Sequence, residues 1–171
     1  TFDAAQGMVA LREHLERNGI QAEVEPGLLS ATYRVVYHHE EQPLVSVIVP
    51  TRDKVEYLEP CIESLLEKTT YENYEIIVVD NESEDPDTLS YFDALVEREP
   101  ARVRVIRYPH AFNYAAISNL AARSARGDYL LFLNNDTQIV QGEWLERMLH
   151  HGQRPEVGVV GARLVYPDSG R

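Results

Sequence analysis

The chain has 171 residues, of which 44% are hydrophobic and 26% are charged, an ordinary composition for a globular protein whose core needs neither disulfides nor a metal. Its 28 acidic and 16 basic residues give a net charge of −12, which disfavours binding to nucleic acids and to anionic membranes. The single cysteine, Cys61, excludes an internal disulfide and is typical of a reducing compartment. The sequence shows no signal peptide and no apolar run close to the roughly 20 residues of a membrane span.

The first part of the chain, residues 1–42, is expected to be a linker or docking segment toward an upstream domain. Residues 4–18 have the apolar spacing of a short amphipathic helix, which Asp3 can cap. Residues 31–37 are rich in β-formers and predict an edge strand. A polar break follows, and we therefore expect the main domain to cover residues 43–171.

Short apolar segments alternate with helical patterns throughout the main domain. Strands are predicted at 45–49, 76–79, 103–106 and 129–133. Helices are predicted at 56–68, 88–98, 113–125 and 142–151. The segment 157–166 is predicted to add one or two more strands. This alternation predicts an α/β fold with a mostly parallel sheet and helices on both of its faces.

Polar side chains follow three of the predicted strands, at the point where each strand ends. They are Thr51 and Asp53 after the first strand, Asp80, Asn81 and Ser83 after the second, and Asn134, Asn135 and Asp136 after the fourth. Ligands of open α/β sheets bind outside the carboxyl ends of the strands, so we expect these segments to form one ligand site. Turns and caps use the same residue types, and the alternatives are an Asx turn at residues 80–81 and a helix cap at Asp53.

The segment Asn134-Asn135-Asp136 has the residue types of a site for a hard divalent cation. In extended backbone, residues 134 and 136 point to the same side and offer an amide oxygen and a carboxylate. One carboxylate holds Mg²⁺ or Mn²⁺ weakly, so phosphate oxygens of a ligand would have to complete the coordination. The alternative is that Asp136 caps the turn toward the helix at 142–151.

The helix predicted at 113–125 contains two asparagines that could reach the same edge of the sheet. Asn113 is either a ligand contact or the N-cap of the helix. Asn119 lies inside the helix, where no capping role exists, and we expect it to be buried and hydrogen-bonded.

Other motifs are absent from the sequence. It has neither GxxxxGK[ST] nor GxGxxG, so it supports neither a P-loop nor a Rossmann dinucleotide site. Cys61 has no CxxC partner and lies in an apolar helical pattern, which predicts a core position. The histidine pairs at 38–39 and 150–151 lack the spacing of a helical zinc site and are expected at the surface.

Four segments resemble the motifs of one enzyme family. They are PLVSVIVPTRD at 43–53, YEIIVVDNES at 74–83, FNYAAISN at 112–119 and GDYLLFLNNDT at 127–137. In this order and spacing they resemble family 2 glycosyltransferases, which have the GT-A fold, over about residues 43–167. Within the family, the sequence is most similar to bacterial enzymes that build O-antigen and other surface polysaccharides, including rhamnan-type chains.

The resemblance implies a role for each segment in binding a nucleotide sugar. The region from Pro50 to Asp53 would line the nucleotide pocket, and Asp80 would accept the imide N–H of uracil or thymine. Asn113 matches a position that is often basic in relatives, and Asn135 would lie near the ribose. The expected nucleotide-binding residues are Pro50, Thr51, Asp53, Asp80, Asn81, Ser83, Asn113, Asn119 and Asn135.

The resemblance also implies a metal site. Asn134-Asn135-Asp136 occupies the family's DXD position, where only Asp136 keeps a carboxylate. Asp136 is therefore the expected ligand of Mn²⁺ or Mg²⁺, with Asn134 as a weak or indirect ligand.

The implied reaction is inverting transfer of a hexose or deoxyhexose from a UDP- or dTDP-sugar to a glycan or lipid-linked glycan acceptor. The family's catalytic base lies in the acceptor half, which we expect beyond Arg171, so this stretch is expected to be the nucleotide-binding part of a longer chain with further domains. Alone it is expected to be inactive. The resemblance further implies a location in the bacterial cytoplasm or at the inner face of the membrane.

Two alternatives remain at the level of sequence. The departure from DXD to Asn-Asn-Asp at residues 134–136 also suits a nucleotide-binding module without catalysis, and a carboxylate beyond Arg171 would distinguish the two. A sugar-1-phosphate nucleotidyltransferase would need a glycine-rich basic loop after the first strand, and residues 51–54 do not form one.

Overall fold

The structure, a computed structural model, describes residues 4–166, and Asp3, the predicted helix cap, lies outside them. The chain forms two compact units. The larger unit runs from Gln42 to Trp144, and the residues from Leu145 onward group with those before Gln42 in the smaller unit. No helix in the described part of the chain is long and apolar enough to cross a membrane.

The described chain contains five helices and six strands. In chain order these are α1 (Ala4–Arg17), β1 (Ala22–Pro26), β2 (Tyr33–Tyr37), β3 (Val45–Thr51), α2 (Val55–Lys68), β4 (Tyr74–Asp80), α3 (Pro86–Arg98), β5 (Val103–Arg107), α4 (Tyr114–Ser124), β6 (Tyr129–Phe132) and α5 (Trp144–Gly152). The four strands and four helices that the sequence predicts for the main domain are therefore present.

The smaller unit contains an antiparallel pair that the sequence analysis identified only in part. β2 is the predicted edge strand, and its partner β1 was missed because Val24 is the one buried side chain of its Ala-Glu-Val-Glu-Pro sequence. The prediction of strands at 157–166 is wrong, since those residues have no regular secondary structure. Val159 is 91% exposed and Leu164 is 75% exposed, so β-forming residues here lack the packing that a strand requires.

The larger unit is a parallel four-stranded sheet with the strand order β5-β4-β3-β6. The connections from β3 to β4 and from β4 to β5 run in one direction across the sheet, whereas α4 returns from β5 to β6. With right-handed crossovers, α2 and α3 lie on one face and α4 on the other. The core below α4 consists of Ile48, Ile77 and Val79 of the sheet with Ile117 and Ala121 of the helix. The predicted α/β fold with helices on both faces is confirmed.

The amino ends of the strands are joined by a buried carboxylate. The Glu75 side chain is 2% exposed, and Ser46 Oγ and the main-chain N–H of Arg126 donate to its Oε1 at 2.7 and 2.8 Å. Nε of Arg104 and Nε of Arg126 donate to Oε2 at 3.2 and 2.9 Å. Burial alone would raise the pKa of Glu75, but these hydrogen bonds outweigh burial and lower the pKa from 4.5 to about 2.

Candidate functional site

The carboxyl ends of β3, β4 and β6 meet at one edge of the sheet. Thr51 pairs with Asp80 in register, and Ile48 pairs with Phe132. Beyond these pairs, Asn135 Nδ2 donates to Thr51 Oγ1 at 3.0 Å. The structure therefore brings the three polar segments together as the sequence predicts, and we call the segments 51–54, 80–85 and 134–136 the carboxyl-end rim.

Pro50 lies in β3 at a place where proline costs no ladder hydrogen bond on the β6 side. The pairing of β3 with β6 ends at Ile48, whereas the pairing with β4 continues through Pro50 to Thr51. A proline in a central strand is tolerated only where no partner needs its N–H. Pro50 is half-buried at the start of the carboxyl-end rim.

Asp80 carries a buried oxygen that no side chain or backbone group of the described protein hydrogen-bonds. Its side chain is 1% exposed, Oδ1 accepts the main-chain N–H of Ser83 at 2.8 Å, and Oδ2 has no hydrogen-bond partner. The nearest cation is Arg107, whose Nε lies 3.7 Å from Oδ2 and whose side chain is 72% exposed. The Asx-type bond from Ser83 thus exists, and it leaves the second carboxylate oxygen available to a ligand.

Asn81 connects the carboxyl-end rim to the segment that follows β5. Its Nδ2 donates to the main-chain oxygens of Tyr108 and His110 at 3.1 and 2.8 Å. Its Oδ1 is buried without a hydrogen-bond partner among the described residues. Asn81 therefore fixes this segment and offers a second buried acceptor at the rim.

Asp53 binds the next loop and does not cap α2. Its Oδ1 accepts the main-chain N–H groups of Glu84 and Asp85 at 2.8 and 2.9 Å. The N-cap of α2 is Lys54, which makes no side-chain capping bond, so the alternative of a cap at Asp53 is wrong. The main-chain N–H of Asp53 donates to Ser83 Oγ at 2.7 Å. Asp53 and Ser83, both predicted to bind the nucleotide, are therefore hydrogen-bonded to other parts of the protein.

One face of α2 holds the segment that follows β6. Cys61 Sγ lies 3.6 Å from the main-chain oxygen of Asn134. Ser64 Oγ accepts the N–H of Ile139 at 2.9 Å, and Lys68 Nζ donates to the carbonyl of Ile139 at 2.9 Å. These positions follow the helical repeat of three and four residues, so the helix supports both ends of the segment.

Cys61 is a core residue, as the sequence predicts, and its side chain is fully buried. Burial raises the pKa of Cys61 to about 12; the N–H of Thr137 opposes this change, and the negative charge of Asp136 adds a smaller increase. The thiol is therefore protonated and inert at neutral pH, and it supports the loop from below.

Asp136 is exposed and has neither a hydrogen bond nor an ion pair within residues 4–166. α5 begins at Trp144, eight residues later in the chain, and its first turn takes no capping bond from Asp136. The alternative role as a cap is therefore not supported. No group of three or more His, Cys, Asp or Glu side chains in the described chain could hold a metal. Asp136 with exposed Asn134 offers oxygen donors that suit a hard cation sharing its coordination with ligand phosphates.

The two asparagines of α4 differ in their surroundings. Asn113 is the N-cap, and its side chain accepts the N–H of Ala116 at 3.0 Å. The expectation that Asn119 is buried is wrong, because Asn119 is exposed. The helix buries Ile117 and Ala121 two positions away on either side, and a residue midway between them faces the opposite direction. Its role in nucleotide binding stays a prediction.

Sequence reasoning missed two parts of this site. Arg107 stands beside Asp80 because β4 and β5 pair Asp80 with Arg107 in register, and a register assignment could have found it. The face of α2 that binds the segment after β6 was not predicted, because Ser64 and Lys68 are residue types that are also common on solvent-exposed helices.

Two curated relatives match nearly the whole chain. An uncharacterized protein of Sinorhizobium fredii is 44% identical over 163 residues, which is 95% of this chain and 18% of the relative. The O-antigen biosynthesis protein RfbC of Myxococcus xanthus is 42% identical over 163 residues, which is 95% of this chain and 12% of the relative. The chain thus spans less than a fifth of the length of these two proteins.

Two solved structures share the fold of this chain. The mannosyltransferase PcManGT from Pyrobaculum calidifontis, in complex with GDP-Man and Mn²⁺, has a TM-score of 0.64 at 20% identity and covers 91% of this chain and 42% of its own. Residues 1–349 of S. aureus TarS give a TM-score of 0.50 at 29% identity and cover 60% of this chain and 30% of theirs. The family described as Glycosyl transferase family 2 matches residues 46–171, and the chain belongs to this family.

Proposed function

We propose that this chain is the donor-binding part of an inverting glycosyltransferase that uses a UDP- or dTDP-sugar. The observation that carries the proposal is the buried Oδ2 of Asp80, which has no hydrogen bond at the edge of the sheet where α/β proteins bind ligands. Family membership supports the transferase class. The sugar is a hexose or deoxyhexose in this proposal.

The base of the nucleotide is recognised by Asp80. Uracil and thymine carry an imide N–H that a carboxylate oxygen can accept, whereas adenine has no donor at the same ring position. Because Oδ1 is already bound to Ser83, the remaining oxygen gives the base one defined partner. Pro50, Thr51 and Asn81 shape the surroundings of the base, and Asn135, held by Thr51, lies on the side of the ribose.

The diphosphate is bound with the help of a divalent cation, Mn²⁺ or Mg²⁺, at Asp136. The net charge of −12 disfavours an unassisted diphosphate, and the exposed carboxylate with Asn134 suits a cation that also binds phosphate oxygens. A cation there would stabilise the negative charge of the departing diphosphate. The solved complex of PcManGT contains a nucleotide sugar and Mn²⁺, and it shares the fold with this chain.

In the reaction of the whole protein, a hydroxyl group of a glycan or lipid-linked glycan attacks the anomeric carbon of the donor. The rim holds the nucleotide so that this carbon faces the acceptor, and no residue of this chain is assigned as the general base. The similarity to an O-antigen biosynthesis protein supports a polysaccharide acceptor. The proposed location, in the bacterial cytoplasm or at the inner membrane face, goes with this function.

Calorimetry with nucleoside diphosphates tests the proposal. UDP and dTDP should bind more tightly than ADP, and Mn²⁺ should strengthen binding. GDP is also measured, because the N1–H of guanine is a donor that the carboxylate of Asp80 could accept in place of the imide N–H of uracil. Asp136→Ala should remove the effect of Mn²⁺, whereas Asp93→Ala, at an exposed carboxylate on α3, should leave it unchanged. Equal affinity for UDP and ADP would disprove the role of Asp80, and an unchanged Mn²⁺ effect in Asp136→Ala would disprove the metal site.

A nucleotide-binding module without catalysis is the second candidate, and the single carboxylate of Asn134-Asn135-Asp136 favours it. Both candidates predict the same binding results. Transfer of sugar by the full-length protein distinguishes them, because only an enzyme releases UDP when an acceptor is present. Membership of the glycosyltransferase family leaves the nucleotidyltransferase alternative without support.

A further inference from the structure

We propose that Asp53 is a positioning residue, which fixes the loop after β4 and through it aims the carboxylate of Asp80, and that it does not contact the nucleotide. The expected effect of Asp53 on the preference for uracil or thymine over adenine rests on the proposed function. The structural part of the inference, the link between two loops, concerns the free protein and can be tested without any ligand.

The backbone of the two loops is held in an unfavourable conformation. Asp53 has φ +50°, Lys54 φ +61° and Glu82 φ +59°, and among the described non-glycine residues only Ala31 also has a positive φ. Residues with a Cβ atom avoid this region, and they keep such a conformation only where surrounding bonds enforce it. Three of the four examples thus lie in the carboxyl-end rim, in the loops after β3 and β4.

Asp53 supplies the bonds that enforce the conformation. Its Oδ1 receives two successive main-chain N–H groups, those of Glu84 and Asp85, at 2.8 and 2.9 Å. Its own N–H donates to Ser83 Oγ at 2.7 Å. One residue of the β3 loop therefore binds three consecutive residues of the β4 loop, and we call this set of bonds the Asp53 link.

The Asp53 link reaches Asp80 through Ser83. While Ser83 Oγ accepts from Asp53, the N–H of the same residue donates to Asp80 Oδ1 at 2.8 Å. That bond determines which oxygen of Asp80 accepts a main-chain N–H and leaves Oδ2 as the oxygen without a hydrogen bond. If the β4 loop loosens, the carboxylate can rotate, and the acceptor for the base loses its fixed direction.

Two substitutions separate positioning from direct contact. Asp53→Asn keeps an oxygen acceptor and tolerates a positive φ, but it removes the charge. Asp53→Gly removes the acceptor and adopts a positive φ without strain, so its effects come from the lost bonds and not from a strained backbone. Ser83→Ala is a third variant that leaves Asp53 intact and removes the acceptor for its N–H.

The first readout is amide hydrogen exchange of the free protein, followed by NMR. In Asp53→Gly the amides of Glu84 and Asp85 should exchange at least about tenfold faster, while those of β4, such as Ile77, keep the wild-type rate. Asp53→Asn should retain the protection. Unchanged protection of Glu84 and Asp85 in Asp53→Gly overturns the proposal.

The second readout is the ratio of the affinities for UDP and ADP. Asp53→Gly and Ser83→Ala should reduce the ratio toward one, and Asp53→Asn should preserve it. A ratio lost equally in Asp53→Asn and Asp53→Gly, with amide protection intact in the former, would assign Asp53 to direct contact and overturn the proposal.

The two readouts also separate this proposal from the proposed function. If the wild-type protein shows no preference between UDP and ADP, the proposed function fails, and amide exchange alone then decides whether the Asp53 link exists. If Asp53→Gly does not fold, Ser83→Ala provides the comparison, and a wild-type ratio in Ser83→Ala then overturns the proposal.

Discussion

Strand β4 carries two buried carboxylates, one at each end, and their surroundings differ completely. Glu75 near the amino end receives hydrogen bonds on both oxygens from Ser46, Arg104 and Arg126. Asp80 at the carboxyl end has one oxygen bound to Ser83 and one without a hydrogen bond. Both side chains are at most 2% exposed, so burial alone does not distinguish them.

The difference teaches where to look for function in this fold. A buried carboxylate whose oxygens are all satisfied contributes to the structure, because its hydrogen bonds compensate the cost of leaving water. A buried oxygen without a hydrogen bond is costly, and a bound ligand that supplies the missing donor is one physical reason for a protein to retain it. In our proposal the same strand therefore has a structural end at Glu75 and a ligand-binding end at Asp80, and the predictions below test this division.

The largest effect on stability is expected at Glu75. In Glu75→Gln an amide N–H₂ replaces one oxygen and faces either the side-chain N–H groups of both arginines or the main-chain N–H of Arg126, none of which can accept, and both arginines lose their charged partner. The free energy of unfolding should fall by about 3 kcal/mol. Urea denaturation measures the change. The affinity of the folded fraction for UDP should be unchanged, and a specific loss of UDP affinity would contradict the division.

Acid should destabilise the protein through the same residue. The folded-state pKa of Glu75 is about 2, against 4.5 in a free side chain, so its contribution is complete above pH 4.5 and is lost as the pH falls toward 2. The difference corresponds to about 3 kcal/mol. Urea midpoints between pH 6 and 2.5 measure it. Glu75→Gln should show a flatter pH dependence in this range, and an identical slope in both proteins would disprove the assignment.

At the other end of the strand, Asp80→Asn should change binding more than stability. The amide oxygen can still accept the N–H of Ser83, and the ion pair that is lost involves the mostly exposed Arg107, so the free energy of unfolding should change by less than about 1 kcal/mol. The affinity for UDP should fall by about tenfold, because an amide N–H₂ now faces the imide N–H. Calorimetry and denaturation on the same preparation test both statements. Destabilisation as large as that of Glu75→Gln would refute the division.

Much of the fold could be predicted from the sequence, because its strongest signals are local. Apolar runs such as Val45–Val49 and Ile76–Val79 lie between helical patterns, and that alternation determines a parallel sheet. β1 was not predicted because one buried residue in five produces no alternation of apolar and polar residues. The strands predicted at 157–166 are wrong because β-forming residues make a strand only where a partner strand is present.

The sequence predicted which segments form the candidate site, but it did not predict the hydrogen bonds between them. The rule that ligands bind at strand ends identified the carboxyl-end rim, and the register of β3, β4 and β6 brings its parts together. The partner of Asp53 could not be predicted, because it depends on positive φ angles at residues that normally avoid them. Asn119 was misplaced because the lack of a capping role was taken to imply burial, whereas the residue lies on the opposite side of α4 from the buried Ile117 and Ala121.

The smallest effect is expected at Asn113, the N-cap of α4, which contacts neither of the two carboxylates of β4. Its substitution tests whether the proposed nucleotide site extends from Asp80 as far as α4. Its side chain caps α4 by accepting the N–H of Ala116, and loss of this bond in Asn113→Ala should cost about 1 kcal/mol. Asn113→Asp keeps the acceptor and suits the positive end of the helix, so its stability should equal that of the wild type. The two variants therefore separate capping from binding. If Asn113 also lies against the diphosphate, the added negative charge of Asn113→Asp weakens UDP binding in a protein of unchanged melting temperature. If it is only a cap, Asn113→Asp binds UDP like the wild type, and the ligand-binding end stops short of α4.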